Sequence, residues 1–259
     1  MAATQKSLAF LHEGARDRPD EKQRELLAIL SNSLSGRLGA LGRHKEALRA
    51  AREAVRLRRK LVLEQQDAAA IGALAVSLTN LGIRLGSLGR HGEALKATEE
   101  AIKIRRELAS EDRRQQRSHL AGCLQNQGVM LRDLGRREDA LAAMEEAVDL
   151  CRELSHEEPA NFMAILARSL NNLSLILNDL GRQDEALQTI EESVALRRHL
   201  AADRPDAFLP DLAGSLNTAG NRLYEADRHD QALEALEEAV EIRRGLARER
   251  PDAFTGSWP

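Results

Sequence analysis

The stretch Leu41-Gly42-Arg43-His44-Lys45-Glu46-Ala47-Leu48 returns four more times: as LGRHGEAL from Leu88, LGRREDAL from Leu134, LGRQDEAL from Leu180 and ADRHDQAL from Ala226. The starts lie 47, 46, 46 and 46 residues apart, a regularity that marks a repeat architecture rather than chance. Glycine readily takes the left-handed conformation that ends a helix, so the phrase reads as a turn. Before it, Leu170, Leu173, Leu177 and Leu180 keep helical spacing. After it, Ala186, Leu187, Ile190, Val194 and Leu196 do the same. Each unit is therefore an antiparallel helix pair, A then B, and the chain is all-α.

Columns of small residues predict how each pair packs. Helix B carries Ala47, Ala94, Ala140, Ala186 and Ala232 in one column and Ala54, Ala101, Ala147, Ser193 and Ala239 in another. Helix A contributes Ser35, Gly82, Gly128, Ser174 and Gly220. Glycine inside a helix costs roughly 1 kcal/mol relative to alanine, so its recurrence predicts a close helix–helix approach that offsets the loss.

Composition narrows the function. Apolar residues are 42% of the chain but aromatics only 2%, so the core is built from Leu, Ala, Ile and Val. The 38 Lys and Arg against 41 Asp and Glu leave a net charge of −3, which argues against a nucleic-acid partner. Apolar stretches are interrupted every few residues, short of the roughly 20 apolar residues of a membrane span, so no membrane insertion is expected. Met1 to Lys6 lacks the features of a secretory signal, and the expected location is cytoplasmic. Cys123 and Cys151 stand without a CxxC or Cys/His pairing and are expected to be reduced structural residues.

Leu173, Ser174, Leu177, Gly181, Ala186, Ile190 and Ser193 fall at the spacings of a tetratricopeptide repeat (TPR), and the other units match the same pattern from Pro19 to Arg248. The chain thus resembles the tetratricopeptide family. The resemblance implies a right-handed α-solenoid, a superhelix of helix-turn-helix units. The period of about 46 exceeds the 34 of the ordinary repeat, so both helices should be longer. This looks like the long-repeat branch of kinesin light chains, whose units also carry an Asn-Asn-Leu phrase, and of bacterial and fungal signalling ATPases. The RPDAF phrase at Arg204, echoed at Arg250, resembles the bacterial arrays more closely.

The expected organisation is one solenoid over residues 1–259: a partial repeat at 1–18, repeats at 19–66, 67–111, 112–158, 159–204 and 205–250, and the start of another at 251–259. Neither end shows a polar cap, although arrays of this kind generally need one. The chain therefore reads as a segment of a longer array, or as a protein whose open ends meet a partner or another copy.

In tetratricopeptide arrays helix A lines the concave surface, and two polar columns of helix A stand out. One holds Asn32, Thr79, Gln125, Asn171 and Asn217; its neighbour holds Ser33, Asn80, Asn126, Asn172 and Thr218. Asn is a poor helix former, so a row of it inside a helix predicts a use. By resemblance, Asn80, Asn126 and Asn172 match positions that bond a peptide backbone, a task suited to an amide that donates and accepts. The alternative is that the amides bond between neighbouring helices and set the superhelix. Ile83, Val129 and Leu175 would add an apolar strip ended by Asn221, and Asp133, Asp179 and Glu225 an acidic edge favouring a basic, apolar-anchored peptide.

The arginines Arg59, Arg106, Arg152, Arg198 and Arg244 end each helix B, and four are preceded by a second arginine, at 58, 105, 197 and 243. They are expected to suit the helix C-terminus and to pair with acids of the next unit rather than to form a phosphate-binding stripe. His44, His91 and His229 share a column one repeat or more apart, too far to share a metal, and the other histidines are expected at the surface. No catalytic motif is found, and neither cofactor nor metal is expected. The leading functional expectation is a non-catalytic scaffold that binds a protein or peptide in its groove. Two alternatives stand beside it: a sensor segment of a larger signalling ATPase (STAND/NLR-like) or protease, and self-assembly into homo-oligomers through exposed terminal repeats.

Overall fold

A computed structural model describes residues 20–108 and 113–249. Ten helices are found among the described residues, with no strand: α1 (Glu21–Ala40), α2 (His44–Gln65), α3 (Ala68–Gly86), α4 (His91–Leu108), α5 (Arg113–Asp133), α6 (Arg137–Glu157), α7 (Pro159–Asp179), α8 (Gln183–Asp203), α9 (Pro205–Glu225) and α10 (His229–Glu249). Odd numbers are helix A and even numbers helix B. The partial repeats expected at 1–18 and 251–259 lie outside the described residues.

The helices group into two compact units, residues 1–136 and 137–259, divided at the turn of the third repeat. In the first, α1 to α5 pack each on the next, and helix A also meets the following helix A, α1 on α3 and α3 on α5. In the second, α6 to α10 pack each on the next.

The A-to-B turns follow from the repeated phrase. Gly42, Gly89, Gly135 and Gly181 have φ of 71°, 70°, 74° and 76°, and Asp227 stands in the same place at 59°. After each, an arginine N–H returns to a leucine carbonyl of helix A: Arg43 to Leu38 at 2.9 Å, Arg182 to Leu177 at 2.9 Å and Arg228 to Leu223 at 2.9 Å. This is the Schellman closure of a helix end, which satisfies carbonyls the helix leaves open. The arginine then opens helix B and pairs with the acid three residues on, Arg43 with Glu46 at 2.6 Å and Arg182 with Glu185 at 2.5 Å. Exposed pairs of this kind contribute little stability, so the phrase is kept mainly by its turn.

Packing in the second, fourth and fifth pairs shows the close approach that the small columns predict. A Cβ on Gly82 would lie 2.6 Å from Thr98 Oγ1, and one on Gly220 would lie 2.6 Å from Leu236 Cγ and 3.3 Å from the Ala232 carbonyl oxygen. Ser174 turns the same proximity into a bond, its hydroxyl donating to the Ala186 carbonyl at 2.8 Å. The alanine columns of helix B are buried against this seam.

One expectation needs qualification: α3 is long and apolar enough, by length and composition, to cross a membrane. It is nevertheless packed on α2, α4, α1 and α5, with Leu74, Ala75, Leu78 and Leu85 buried. Its apolar character serves a helix enclosed on several sides. At the other extreme, α10 has no following helix among the described residues. Leu233 and Val240 are 58% and 43% exposed there, whereas their counterparts Leu187 and Val194 in α8 are buried beneath α9.

Gly220→Ala should destabilise the second unit by about 1–3 kcal/mol, because the new methyl overlaps Leu236. Leu236→Ala in the same chain should recover part of that loss. Urea unfolding of the two single variants and the double variant measures the coupling; strictly additive losses would contradict the contact.

Candidate functional site

The two polar columns of helix A prove to have different surroundings. In the first, the Asn32 amide donates to Ser77 Oγ at 2.8 Å, Thr79 Oγ1 lies 3.2 Å from Cys123 Sγ, and Ser215 Oγ donates to Asn171 Oδ1 at 3.2 Å. Each bond joins one helix A to the next, α1 to α3, α3 to α5 and α7 to α9. Gln125 is buried and Asn217 half-buried in the same column. Asn32, Thr79 and Asn171 are thus engaged in the seam between repeats, whereas Asn217 makes no side-chain hydrogen bond among the described residues.

The second column is not. Asn80, Asn126 and Asn172 are half-buried and make no side-chain hydrogen bond among the described residues. Thr218 satisfies itself by donating to the Gly214 carbonyl at 3.2 Å, and Ser33 is exposed. Ile83, Val129 and Leu175 are half-buried, and Asn221 is exposed. Of the acids, Asp133 lies 3.5 Å from His91 Nδ1 and 3.8 Å from Arg132 Nη2, while Glu225 lies 3.0 Å from Arg222 Nη1. Asp179 is exposed. Two members of the acidic edge therefore already have cationic partners within their own unit.

The paired arginines divide in a way that sequence reading missed. Three of the arginines that end helix B behave as expected: Arg59 reaches Glu100 at 2.7 Å, Arg152 reaches Glu192 at 2.7 Å and Arg198 reaches Glu238 at 2.5 Å, each on the next helix B. In the first, second and fourth repeats the preceding arginine turns inward, with Arg58, Arg105 and Arg197 only 7%, 3% and 8% exposed, whereas Arg243 in the fifth is exposed. Arg105 donates to the Gly72 carbonyl at 3.2 Å and to Gln116 at 2.8 Å, and Arg197 to the Asp211 carbonyl at 2.5 Å. Burial lowers the pKa of all three. The signal was available: neighbours on a helix point about 100° apart, so the two arginine columns lie on different faces of helix B. Cys151 takes this inward position in the third repeat, fully buried, with Sγ 3.6 Å from Ser169 Oγ.

Arg105 also corrects the placement of His119, which was expected at the surface. His119 is half-buried, and burial together with the nearby Arg105 lowers its pKa. Cys123, one turn further along α5, is buried; burial raises its pKa, which keeps it a thiol rather than a nucleophilic thiolate. Both cysteines are free, and among the described residues no group of His, Cys, Asp and Glu could hold a metal.

The geometry defines a helical-repeat protein built of antiparallel helix pairs. Two tetratricopeptide repeat profiles match it, one over residues 120–199 and one over 28–65, 74–114 and 212–247. The chain belongs to the tetratricopeptide repeat family, a fold that points to protein–protein interaction and is generally non-catalytic. Comparison with the curated proteins finds no match. Among solved structures it is similar to BtubC (BKLC) from P. vanneervenii, with a TM-score of 0.73 and 21% identity, covering 100% of this chain and 92% of that one. It is also similar to the apo form of RapI, with a TM-score of 0.68 and 14% identity over 92% and 59% of the two chains. A Podospora anserina protein described as a kinesin light chain with nearly identical repeats aligns with a TM-score of 0.63 and 18% identity, over 86% and 98%. At these identities the likeness shows the fold alone.

The depressed pKa of His119 sets a pH dependence. The folded chain favours neutral His119, so its contribution is complete above the ordinary histidine pKa of about 6.5 and is lost as pH falls below it, where the unfolded chain binds a proton the folded chain resists. Between about pH 7.5 and pH 5.5 the wild type should lose more stability than His119→Gln, compared by urea unfolding at each pH. Equal losses in both would rule out His119 as a source of acid sensitivity.

Proposed function

We propose that this protein is a non-catalytic interaction scaffold whose helix A surfaces take an extended segment of a partner protein. Asn80 and Asn126 would bond its backbone in the first unit, and Asn172 in the second. The observation that carries this reading is the contrast between the two amide columns. In the first, Asn32, Thr79 and Asn171 are used between helices. In the second, the amides keep donor and acceptor free at a half-exposed position, beside the half-buried apolar side chains of Ile83, Val129 and Leu175. An extended peptide leaves its backbone N–H and C=O groups unpaired, and a primary amide can meet both at once.

A pull-down with mass spectrometry from the native host would supply the partner. With it in hand, Asn80→Ala with Asn126→Ala should weaken affinity about tenfold or more while leaving thermal stability nearly unchanged. Asn32→Ala, which removes the bond to Ser77, should lower stability by about 1 kcal/mol. A folded double variant that binds as tightly as the wild type would overturn the assignment.

A further inference from the structure

Helices α8, α9 and α10 enclose a crevice on the helix B side of the second unit, a cavity of about 260 Å³. Its buried lining is apolar: Val194 from α8 and Leu216, Ala219 and Leu223 from α9, with Ala235 of α10 half-buried beside them. Two ion pairs span it from one helix B to the next. Arg198 reaches Glu238 at 2.5 Å, and Arg228, just before α10, reaches Glu191 at 3.3 Å.

Three departures from the repeat meet at this crevice. The column of Ala219 otherwise holds Leu34, Leu81, Gln127 and Leu173, so a branched apolar side chain is missing from the lining. The column of Ala195 is otherwise charged, with Arg56, Lys103, Asp149 and Glu241, and only here does a methyl stand at the edge. The column of Gln231 is otherwise acidic, with Glu46, Glu93, Asp139 and Glu185. Arg43, Arg90 and Arg182 pair with that acid inside their own repeat. Gln231 accepts from Arg228 but brings no charge, and Arg228 meets its acid across the crevice instead. The equivalent crevice between α6 and α8 is open too, at about 390 Å³, but Leu173 stands at the Ala219 position, and Asp149 and Thr189 at those of Ala195 and Ala235. Of the acids around the later crevice, Glu191 and Glu238 are engaged in the two spanning pairs. Glu234 is exposed and has no ion pair or hydrogen bond among the described residues.

We infer that this crevice is a docking site for a leucine-sized side chain that a partner protein carries beside a lysine or arginine. The branched side chain takes the place that the Ala219 column leaves empty and is buried against Val194, Leu216 and Leu223, a single apolar anchor in a preformed pocket. The neighbouring cation meets Glu234, the acid still without a partner. The site lies in the helix B layer and uses none of the amide columns of helix A, so it stands apart from the surface proposed above.

The test is a methyl NMR titration of the full chain with three short Gly/Ser peptides, acetylated and amidated, that carry Leu-Lys, Ala-Lys or Leu-Gln at their centre. The methyl signals of Val194, Ala219 and Leu223 should move saturably with the Leu-Lys peptide. Binding should be about tenfold weaker for Ala-Lys and about threefold weaker for Leu-Gln. Ala219→Leu, which restores the side chain of the fourth repeat, should abolish the leucine preference. Ala195→Asp, an exposed replacement that copies the third repeat and spares the core, should lower it severalfold. Glu234→Gln should abolish the lysine preference alone. Equal binding of the Leu-Lys and Ala-Lys peptides, shifts confined to methyls outside the crevice, or a leucine preference untouched by Ala195→Asp and by a folded Ala219→Leu would overturn the site. Crevice shifts that grow with protein concentration in the absence of peptide would make a second copy the occupant and overturn it likewise.

Discussion

The contact between the small column of helix A and the backbone of helix B governs the rest of the structure. Gly82 and Gly220 approach Thr98 and Leu236 so closely that no Cβ could be added without displacement, and Ser174 reaches the Ala186 carbonyl directly. Bringing two helices this near places their alanine columns in contact, which is how a chain with few aromatics builds a dense core. The Schellman turn aims helix B at the right angle for the contact, and the left-handed residue that closes it is glycine in four repeats and Asp227 in the fifth.

Once a pair is closed, neighbouring repeats within each unit are joined by polar groups on both helix layers. Between successive A helices run the bonds of Asn32 with Ser77, Thr79 with Cys123 and Asn171 with Ser215. Between successive B helices run the arginine–glutamate pairs, Arg59 with Glu100 among them. The buried arginines Arg105 and Arg197 pass between these layers and donate to helix A carbonyls. Stacking is therefore directional: apolar burial supplies the driving force, and hydrogen bonds set the register.

The functional consequence lies in what this arrangement leaves over. Asn80, Asn126 and Asn172 have no role in joining helices, although asparagine is expensive to place inside a helix. Polar groups kept half-buried and unsatisfied on the helix A side are the features from which an interaction surface can be argued, whereas Asp133 and Glu225 near the turns stand beside Arg132 and Arg222.

The sequence by itself determined the helices, their pairing and their family. A glycine turn at a fixed period and small residues at helical spacing leave few alternatives, because both signals are local. It also marked the two amide columns, but it could not tell them apart. That distinction depends on whether a residue from the next repeat, about 44 positions away, arrives within hydrogen-bond distance, as Ser77 does for Asn32 and as nothing does for Asn80. The same holds for the arginine pairs, alike as letters, of which Arg105 is buried and Arg106 exposed, and for His119, which only the packing of α4 on α5 brings beside a cation. Local periodicity sets which elements form; which polar group finds a partner is settled only when those elements meet in space.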